Sequence, residues 1–216
     1  MSSVTTIHDH VAAVHARATR MASGERRELV LAAAAEVFGE RGYVGATTDA
    51  VAKAAGVSQP YVVRMFGTKA ALFQSVFERS LERLMAGFRQ EIAAAVNESG
   101  ITPGSDELNM CIGRRYVELL EDRGLLLSMM QAFMLGADPE VGPTARAGFL
   151  RVYQLLRDEA GFTPEQASHI LSIGMMINTL VGLRMGADFD EDPEVREMIT
   201  AIMPQKAAML RDLARR

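Results

Sequence analysis

Tryptophan is missing from this 216-residue chain, aromatic residues make up only 6%, and there is a single cysteine. One thiol excludes an internal disulfide and suits a reducing compartment, so a cytoplasmic protein is expected. A core this poor in aromatics must be filled by Leu, Val, Ile, Ala and the 14 methionines, whose unbranched thioethers adapt to irregular gaps. Long apolar runs are also missing. The longest uncharged apolar stretch, Ile170 to Leu183, falls short of the roughly 20 residues a membrane helix needs and is followed by Arg184. Residues Met1 to Ser23 lack the apolar segment of a signal peptide. No membrane role is expected. An excess of positive charge is missing too: the net charge is −4, so a uniformly basic coat is excluded and any nucleic-acid binding must come from a local surface.

What is present is an ordinary globular composition, 49% hydrophobic and 23% charged. Apolar residues recur at three- and four-residue spacing with no strand-like alternation, which predicts an all-α fold. Residues 1–23 read as a polar N-terminal arm, either a short helix over His10–Arg20 or a mobile leader. Ser23 is the expected cap of a first firm helix from about Glu25 to Glu40, presenting Leu29, Ala33, Val37 and Phe38 inward and stopped by Gly42. Thr47 or Thr48 caps a second helix ending at Gly56. Ser58 caps a third by accepting from the Tyr61 N–H, and that helix ends near Gly67. A long helix follows from about Lys69 to Asn97, broken by Gly100, Pro103 and Gly104. Further helices are expected near 105–121, 124–136, 139–160, 164–187 and 192–214. Asp106, Thr163 and Asp192 are the candidate caps, and Pro204 should kink the last helix.

The informative segment is TTDAVAKAAGVSQPYVVRMF, beginning at Thr47. Gly56 can take the left-handed conformation needed for a sharp turn between two short helices. Ala52, four residues earlier, is small enough for a close helix crossing. Val51, Ala55, Val57, Val62 and Met65 supply shared apolar contacts. This spacing is that of a DNA-binding helix-turn-helix. Pro60 is harmless in the first turn of the third helix, where its missing N–H would have had no partner. The outer face of that helix carries Pro60 and Arg64, flanked by Gln59, Tyr61 and Val63. Gln pairs with adenine, Arg with guanine or phosphate, and Tyr reaches a phosphate. No acidic residue stands between Asp49 and Glu78, whereas Lys53, Arg64 and Lys69 do. Lys69 and the Thr47–Thr48 pair open helices whose free N–H groups already favour an anion. The candidate DNA-binding set is Thr47, Thr48, Ser58, Gln59, Pro60, Tyr61, Arg64 and Lys69.

Residues 25–73 resemble the tetracycline-repressor (TetR) family. Phe38, Gly42 and Tyr43 match the end of its first helix. Thr47, Val51, Ala52, Ala55, Gly56 and Val57 match its second helix and turn, and Ser58, Phe66, Lys69 and Leu72 its recognition helix and the start of the fourth. The resemblance implies an all-α homodimer, with a three-helix DNA-binding head at 24–68 and a helical ligand-binding and dimerisation body at 69–216. It also implies a recognition helix in the major groove and a phosphate held by Lys69. Val63 stands where the family commonly has an aromatic and Met65 where it commonly has His. Asp49 stands where some members have a base-reading basic residue, so individual base contacts do not transfer.

Residues 105–216 contain no Ser/His/Asp set, no HExxH and no Gly-rich phosphate loop, so neither an enzyme nor a cofactor is expected. No metal site is expected either. His8 and His10 lie in the arm, and Cys111 reads as a small buried hydrophobe. The body does hold a Met- and Phe-rich set with a few polar groups. The candidate ligand-binding residues are Tyr116, Met130, Phe133, Met134, Phe149, Tyr153, Met175 and Asn178, a composition suited to a small apolar effector. Any one of these Met residues is more often plain core, and the pocket itself is implied by the resemblance. Ile170–Met185 is apolar on nearly every face and must be buried all round, against its own core and a second copy. The expected partners are double-stranded DNA carrying a palindromic operator, a second copy of the chain and the effector. The expected function is a repressor released from its operator by that effector. The alternatives are an activator and a regulator with no small-molecule ligand.

Overall fold

A computed structural model describes the chain at residues 3–202, Ala207 and Arg211, with side chains from Ser23 onward except that of Arg123. Every regular element among the described residues is helical: α1 (Ser3–Gly45), α2 (Thr48–Ala54), α3 (Gln59–Phe66), α4 (Lys69–Ala93), α5 (Asp106–Leu119), α6 (Arg123–Met134), α7 (Gly142–Gln154), α8 (Pro164–Gly182) and α9 (Pro193–Ile202). The last turns of α4 and α7 widen to π geometry over Ala94–Glu98 and Leu155–Glu159. Two compact units form, residues 1–76 and 77–216, and the division falls inside α4.

In the first unit the apolar stripe of α1 is Val30, Leu31, Ala34, Val37 and Phe38, all buried, at the three- and four-residue spacing of one helix face. Two expectations for α1 are corrected. Leu29 does not face inward; it is 53% exposed, because Val30 and Leu31 take the core positions of the contiguous Leu-Val-Leu run. Ser23 does not cap: the helix passes through it, since no proline interrupts residues 3–45. At Gly42 (φ 71°, ψ 167°) α1 bends and makes one more turn before ending. Phe73 of α4 closes this core, edge-on to Phe38 with ring centres 4.9 Å apart and 5.0 Å from Tyr43.

In the second unit Val117, Leu120, Leu126, Ile177, Leu180, Val195 and Ile199 form one buried cluster from α5, α6, α8 and α9. Phe77 and Leu81 of α4 pack on Gly148 of α7, where a Cβ would stand only 2.6 Å from Phe77 Cζ. Arg151 of α7 reaches back to α4, bonding Glu78 at 3.0 Å and also Glu82, while Arg89 makes a forked pair with Glu159. These pairs are exposed and contribute little individually.

Caps explain most helix starts. Ser105, not Asp106, caps α5, accepting from Leu108 N–H; Asp106 is instead the first helical residue, where its charge suits the dipole. Thr163 and Gln166 form a capping box on α8, and Asp192 accepts from Glu194 and Val195 N–H ahead of α9. The helix expected from 139 begins at Gly142, because Asp138 accepts from the N–H groups of Glu140 and Val141 and holds a turn there. The helix expected to reach 187 stops at Gly182. Arg184 takes a left-handed conformation (φ 57°), and a 3-10 turn over Met185–Asp188 follows. The expected kink at Pro204 and the apolar residues Met203, Met209, Leu210 and Leu213 lie outside the described residues.

Candidate functional site

In the first unit α2 and α3 form a tight helix-turn-helix. Thr47 has extended backbone and its hydroxyl accepts from Ala50 N–H at 3.1 Å, which settles the choice between the two threonines. Gly56 sits at φ 65° and closes α2: its N–H reaches Lys53 O at 3.3 Å and Val57 N–H reaches Ala52 O at 3.0 Å, the paired bonds of a left-handed helix stop. Val51, Ala52, Ala55 and Val62 are buried between the helices. Ser58 occupies the N-cap position of α3, but its hydroxyl makes no capping bond; Tyr61 N–H and Val62 N–H donate to the Ser58 carbonyl instead. The Ser58 side chain is exposed.

The structure brings the remaining head residues to one region. Gln59 Nε2 donates to Thr48 Oγ1 at 3.3 Å, tying the start of α3 to the start of α2. Pro60 and Arg64 are exposed on α3, and the Arg64 guanidinium lies 5.3 Å from the centre of the half-buried Tyr61 ring. Lys69 is half-buried, with Nζ donating to the carbonyls of Tyr43 (3.0 Å) and Val44 (3.4 Å). Two residues escaped the sequence reading. Thr68 caps α4 by accepting from Ala71 N–H at 3.0 Å, a signal legible as a threonine just ahead of an apolar periodic run. Arg27 lies 5.2 Å from the centre of the Phe66 ring and donates to Ser75 Oγ at 3.5 Å; nothing local in the sequence marks it.

The second unit holds a partly open cavity of about 510 Å³. Its wall is mostly apolar, built by Leu84 and Phe88 of α4, Ile112 of α5, Phe133 of α6, Phe149 of α7 and Ile173 of α8. Tyr116 and Asn178 add a polar point. Tyr116 Oη donates to Asn178 Oδ1, and the amide nitrogen donates to Met175 Sδ at 3.9 Å. Burial pushes the Tyr116 phenol well above its ordinary value, and the bond to Asn178 offsets only part of that. The phenol is therefore a neutral donor at any physiological pH.

Residues 30–76 match the family described as "Bacterial regulatory proteins, tetR family". The N-terminal helix-turn-helix is thus similar to that of the TetR family. A curated TetR-type relative, the HTH-type transcriptional activator FasR of Mycolicibacterium smegmatis (strain ATCC 700084 / mc(2)155), is 41% identical over 76 residues. The matched stretch covers 35% of this chain and 35% of that relative. Two solved structures share the fold. A Mesorhizobium loti MAFF303099 protein assigned to the TetR family is 16% identical with a TM-score of 0.57, over 88% of this chain and 96% of its own. A Pseudomonas aeruginosa PAO1 protein assigned as a transcriptional regulator is 16% identical with a TM-score of 0.58, over 89% and 94%. The TetR-like all-helical architecture thus extends past the matched head.

Against this TetR frame, the expected ligand-binding residues divide. Tyr116, Phe133, Phe149, Met175 and Asn178 line the cavity; Met130, Met134 and Tyr153 do not. Met134, the last residue of α6, is 85% exposed. Met130 packs on the buried cluster around Val117, and Tyr153 lies under Arg157, 5.9 Å from its guanidinium. The sequence reading missed Leu84 and Phe88, which belong to the regular apolar stripe of α4, and His169, which lines the cavity with an exposed side chain. Cys111 is half-buried rather than fully buried. No described helix is long and apolar enough to cross a membrane.

Proposed function

We propose that this chain is a cytoplasmic transcriptional regulator that acts by binding and without catalysis: a homodimer whose head, about residues 24–68, holds a palindromic operator, and whose body, about 69–216, releases it when a small apolar ligand enters the cavity. The observation that carries the reading is the exposed face of α3. Gln59, Pro60, Tyr61 and Arg64 stand on α3, Pro60 and Arg64 exposed and Gln59 and Tyr61 half-buried beside them, in a stretch with no carboxylate from Ala50 to Phe77. Phosphates meet no carboxylate within that stretch, and Gln and Arg carry the donors that read base edges. The dimer is supported by α8, whose Met176 is only half-buried within one chain and which is followed by the exposed Leu183. A ligand that prefers a dimer spacing unlike the about 34–36 Å between successive major grooves lowers DNA affinity in proportion to that preference.

Selection of bound sites from random DNA tests the reading. An enriched palindrome with half-sites one helical turn apart, or a multiple of that, is expected; recovery of no enriched sequence at low salt overturns it. Light scattering should give a dimer, and a monomer at micromolar concentration would remove the isologous interface. A second reading, activation, is favoured by the relative FasR being an activator. A reporter carrying the selected site separates the two: deleting the regulator raises expression under repression and lowers it under activation.

A further inference from the structure

Among the polar side chains lining the cavity in the second unit Asn178 is the buried one, and its hydrogen bonding is directional. Asn178 is 5% exposed, so its amide has little access to bulk water. Tyr116 donates to Asn178 Oδ1, which occupies the carbonyl side of the amide. The nitrogen side carries two N–H groups, and its partner among the described residues is Met175 Sδ at 3.9 Å, a weak acceptor. Turning the amide over would aim its carbonyl lone pairs at that sulfur and waste the phenol's donor. The observed orientation is the one both neighbours favour. A buried amide is thereby left with donor capacity beside an apolar space, and leaving such a group unmet is costly.

Charge narrows the choice further. Among the described residues lining the cavity, Arg114 and His169 are those able to carry positive charge, and both side chains are exposed. The wall around Asn178 is Tyr116, Met175, Ile177 and Gly174, all uncharged. A carboxylate placed there would be desolvated without a counter-ion, which is far more costly than burying a ketone or ester oxygen.

Resting on the reading of this cavity as the effector site, we infer that the effector is an uncharged, largely apolar molecule whose carbonyl-type oxygen accepts a hydrogen bond from Asn178 Nδ2, with Tyr116 holding the amide in that orientation. Asn178 is the specificity-determining contact, and Tyr116 is a positioning residue. A volume of about 510 Å³ lies within the roughly 300–1,000 Å³ of ligand pockets, so a two-ring molecule fits with room to spare.

Calorimetric titration of the full chain with three matched probes tests this: benzophenone, diphenylmethane (the same shape without the acceptor) and diphenylacetate (a carboxylate on the same skeleton). Benzophenone should bind about tenfold more tightly than diphenylmethane, the worth of one well-placed buried hydrogen bond. In Asn178→Leu the two neutral probes should bind equally, with diphenylmethane affinity retained. In Tyr116→Phe, which keeps the ring and frees the amide, the preference should shrink while diphenylmethane affinity stays. Equal binding of the neutral probes to the natural chain overturns the inference and leaves the cavity reading intact. So does a preference that survives Asn178→Leu, or diphenylacetate binding more tightly than benzophenone. Binding of none of the three overturns the cavity reading and the inference with it. The natural-chain comparison and Tyr116→Phe decide the matter even if Asn178→Leu does not fold.

Discussion

Lys69 Nζ donates to the Tyr43 carbonyl at 3.0 Å and lies 4.7 Å from the centre of the same residue's ring. The first residue of α4 therefore fastens the last turn of α1, just beyond its bend at Gly42. The carbonyls it meets are the ones a helix end leaves without intrahelical partners. Two of the three ammonium N–H groups are used on Tyr43 and Val44, and one remains.

Lys69→Ala should act twice. Binding to every DNA sequence should weaken, and the slope of log affinity against log salt should flatten by about one unit as one phosphate contact is lost. The first unit should also lose about 1 kcal/mol from the missing hydrogen bond and cation–π contact. Salt-series binding titrations and urea unfolding measure the two effects separately. A lower stability with an unchanged salt slope would assign Lys69 wholly to packing.

Arg64 is held over the Tyr61 ring with its guanidinium edge exposed, a posture suited to reading rather than to structural support. Arg64→Ala should change the order of preference among operator variants, losing about 1–3 kcal/mol of discrimination at one base pair. Competition binding against a panel of single-base half-site variants measures this. Uniformly weaker binding with the order preserved would make Arg64 a phosphate contact.

The helix-turn-helix was legible in the sequence because it is local. A threonine cap, a glycine stop and a small residue four positions earlier each act within one turn of where they stand, and Thr47, Gly56 and Ala52 do so here. Register was harder. Leu29, Val30 and Leu31 are contiguous, so periodicity alone cannot decide which of them is core, and the packing partners did. The cavity was legible in composition and not in membership. Met134 and Phe133 are neighbours, yet one is 85% exposed and the other lines the cavity. That difference depends on where α6 ends and on how α4 crosses it, and neither is encoded in a window of a few residues. Leu84 and Phe88 were missed for the same reason: α4 shows an apolar stripe, but the stripe does not say what it faces.

Two glycines should fail in different ways on substitution. Gly56 has a positive φ and open space around its missing Cβ, so Gly56→Ala should cost about 1 kcal/mol from backbone strain alone. Gly148 is helical, but a Cβ there would stand 2.6–2.9 Å from Phe77 and Leu81, so Gly148→Ala should cost about 1–3 kcal/mol from overpacking. Urea unfolding gives both numbers. Relief by Phe77→Leu should appear for Gly148→Ala and not for Gly56→Ala. Equal relief in both would show that contact with Phe77 is not the cause.

The buried Tyr116 phenol sets a limit at the alkaline end. Its folded pKa is raised above the ordinary 10.0, with burial the main cause. The neutral form is thus favoured by folding, and that contribution is complete below pH 10. As pH rises past 10 the unfolded chain loses the proton and the folded chain does not, so stability falls with pH. Tyr116→Phe should flatten this alkaline decline. Unfolding free energies at stepped alkaline pH, followed alongside phenolate absorbance, test it. An identical pH dependence in Tyr116→Phe would mean that the phenol ionises without unfolding.

Ser80 and Ser128 supply the sharpest test of the second unit's interior. The two hydroxyls are 3.0 Å apart and both are buried. Ser128 donates its only proton to Leu125 O at 2.9 Å, so the proton between the serines belongs to Ser80. Ser80→Ala removes a donor and leaves Ser128 one incoming bond short, which should cost under about 1 kcal/mol. Ser128→Ala leaves the Ser80 O–H facing apolar neighbours, which should cost about 1–3 kcal/mol. In the double variant the stranded hydroxyl is gone. Its cost should therefore be less than the sum of the single costs, with a coupling of about 1 kcal/mol. A double-mutant cycle by urea unfolding measures that coupling. Strict additivity would mean that Ser80 finds another acceptor, such as a carbonyl of its own helix, as soon as Ser128 is removed.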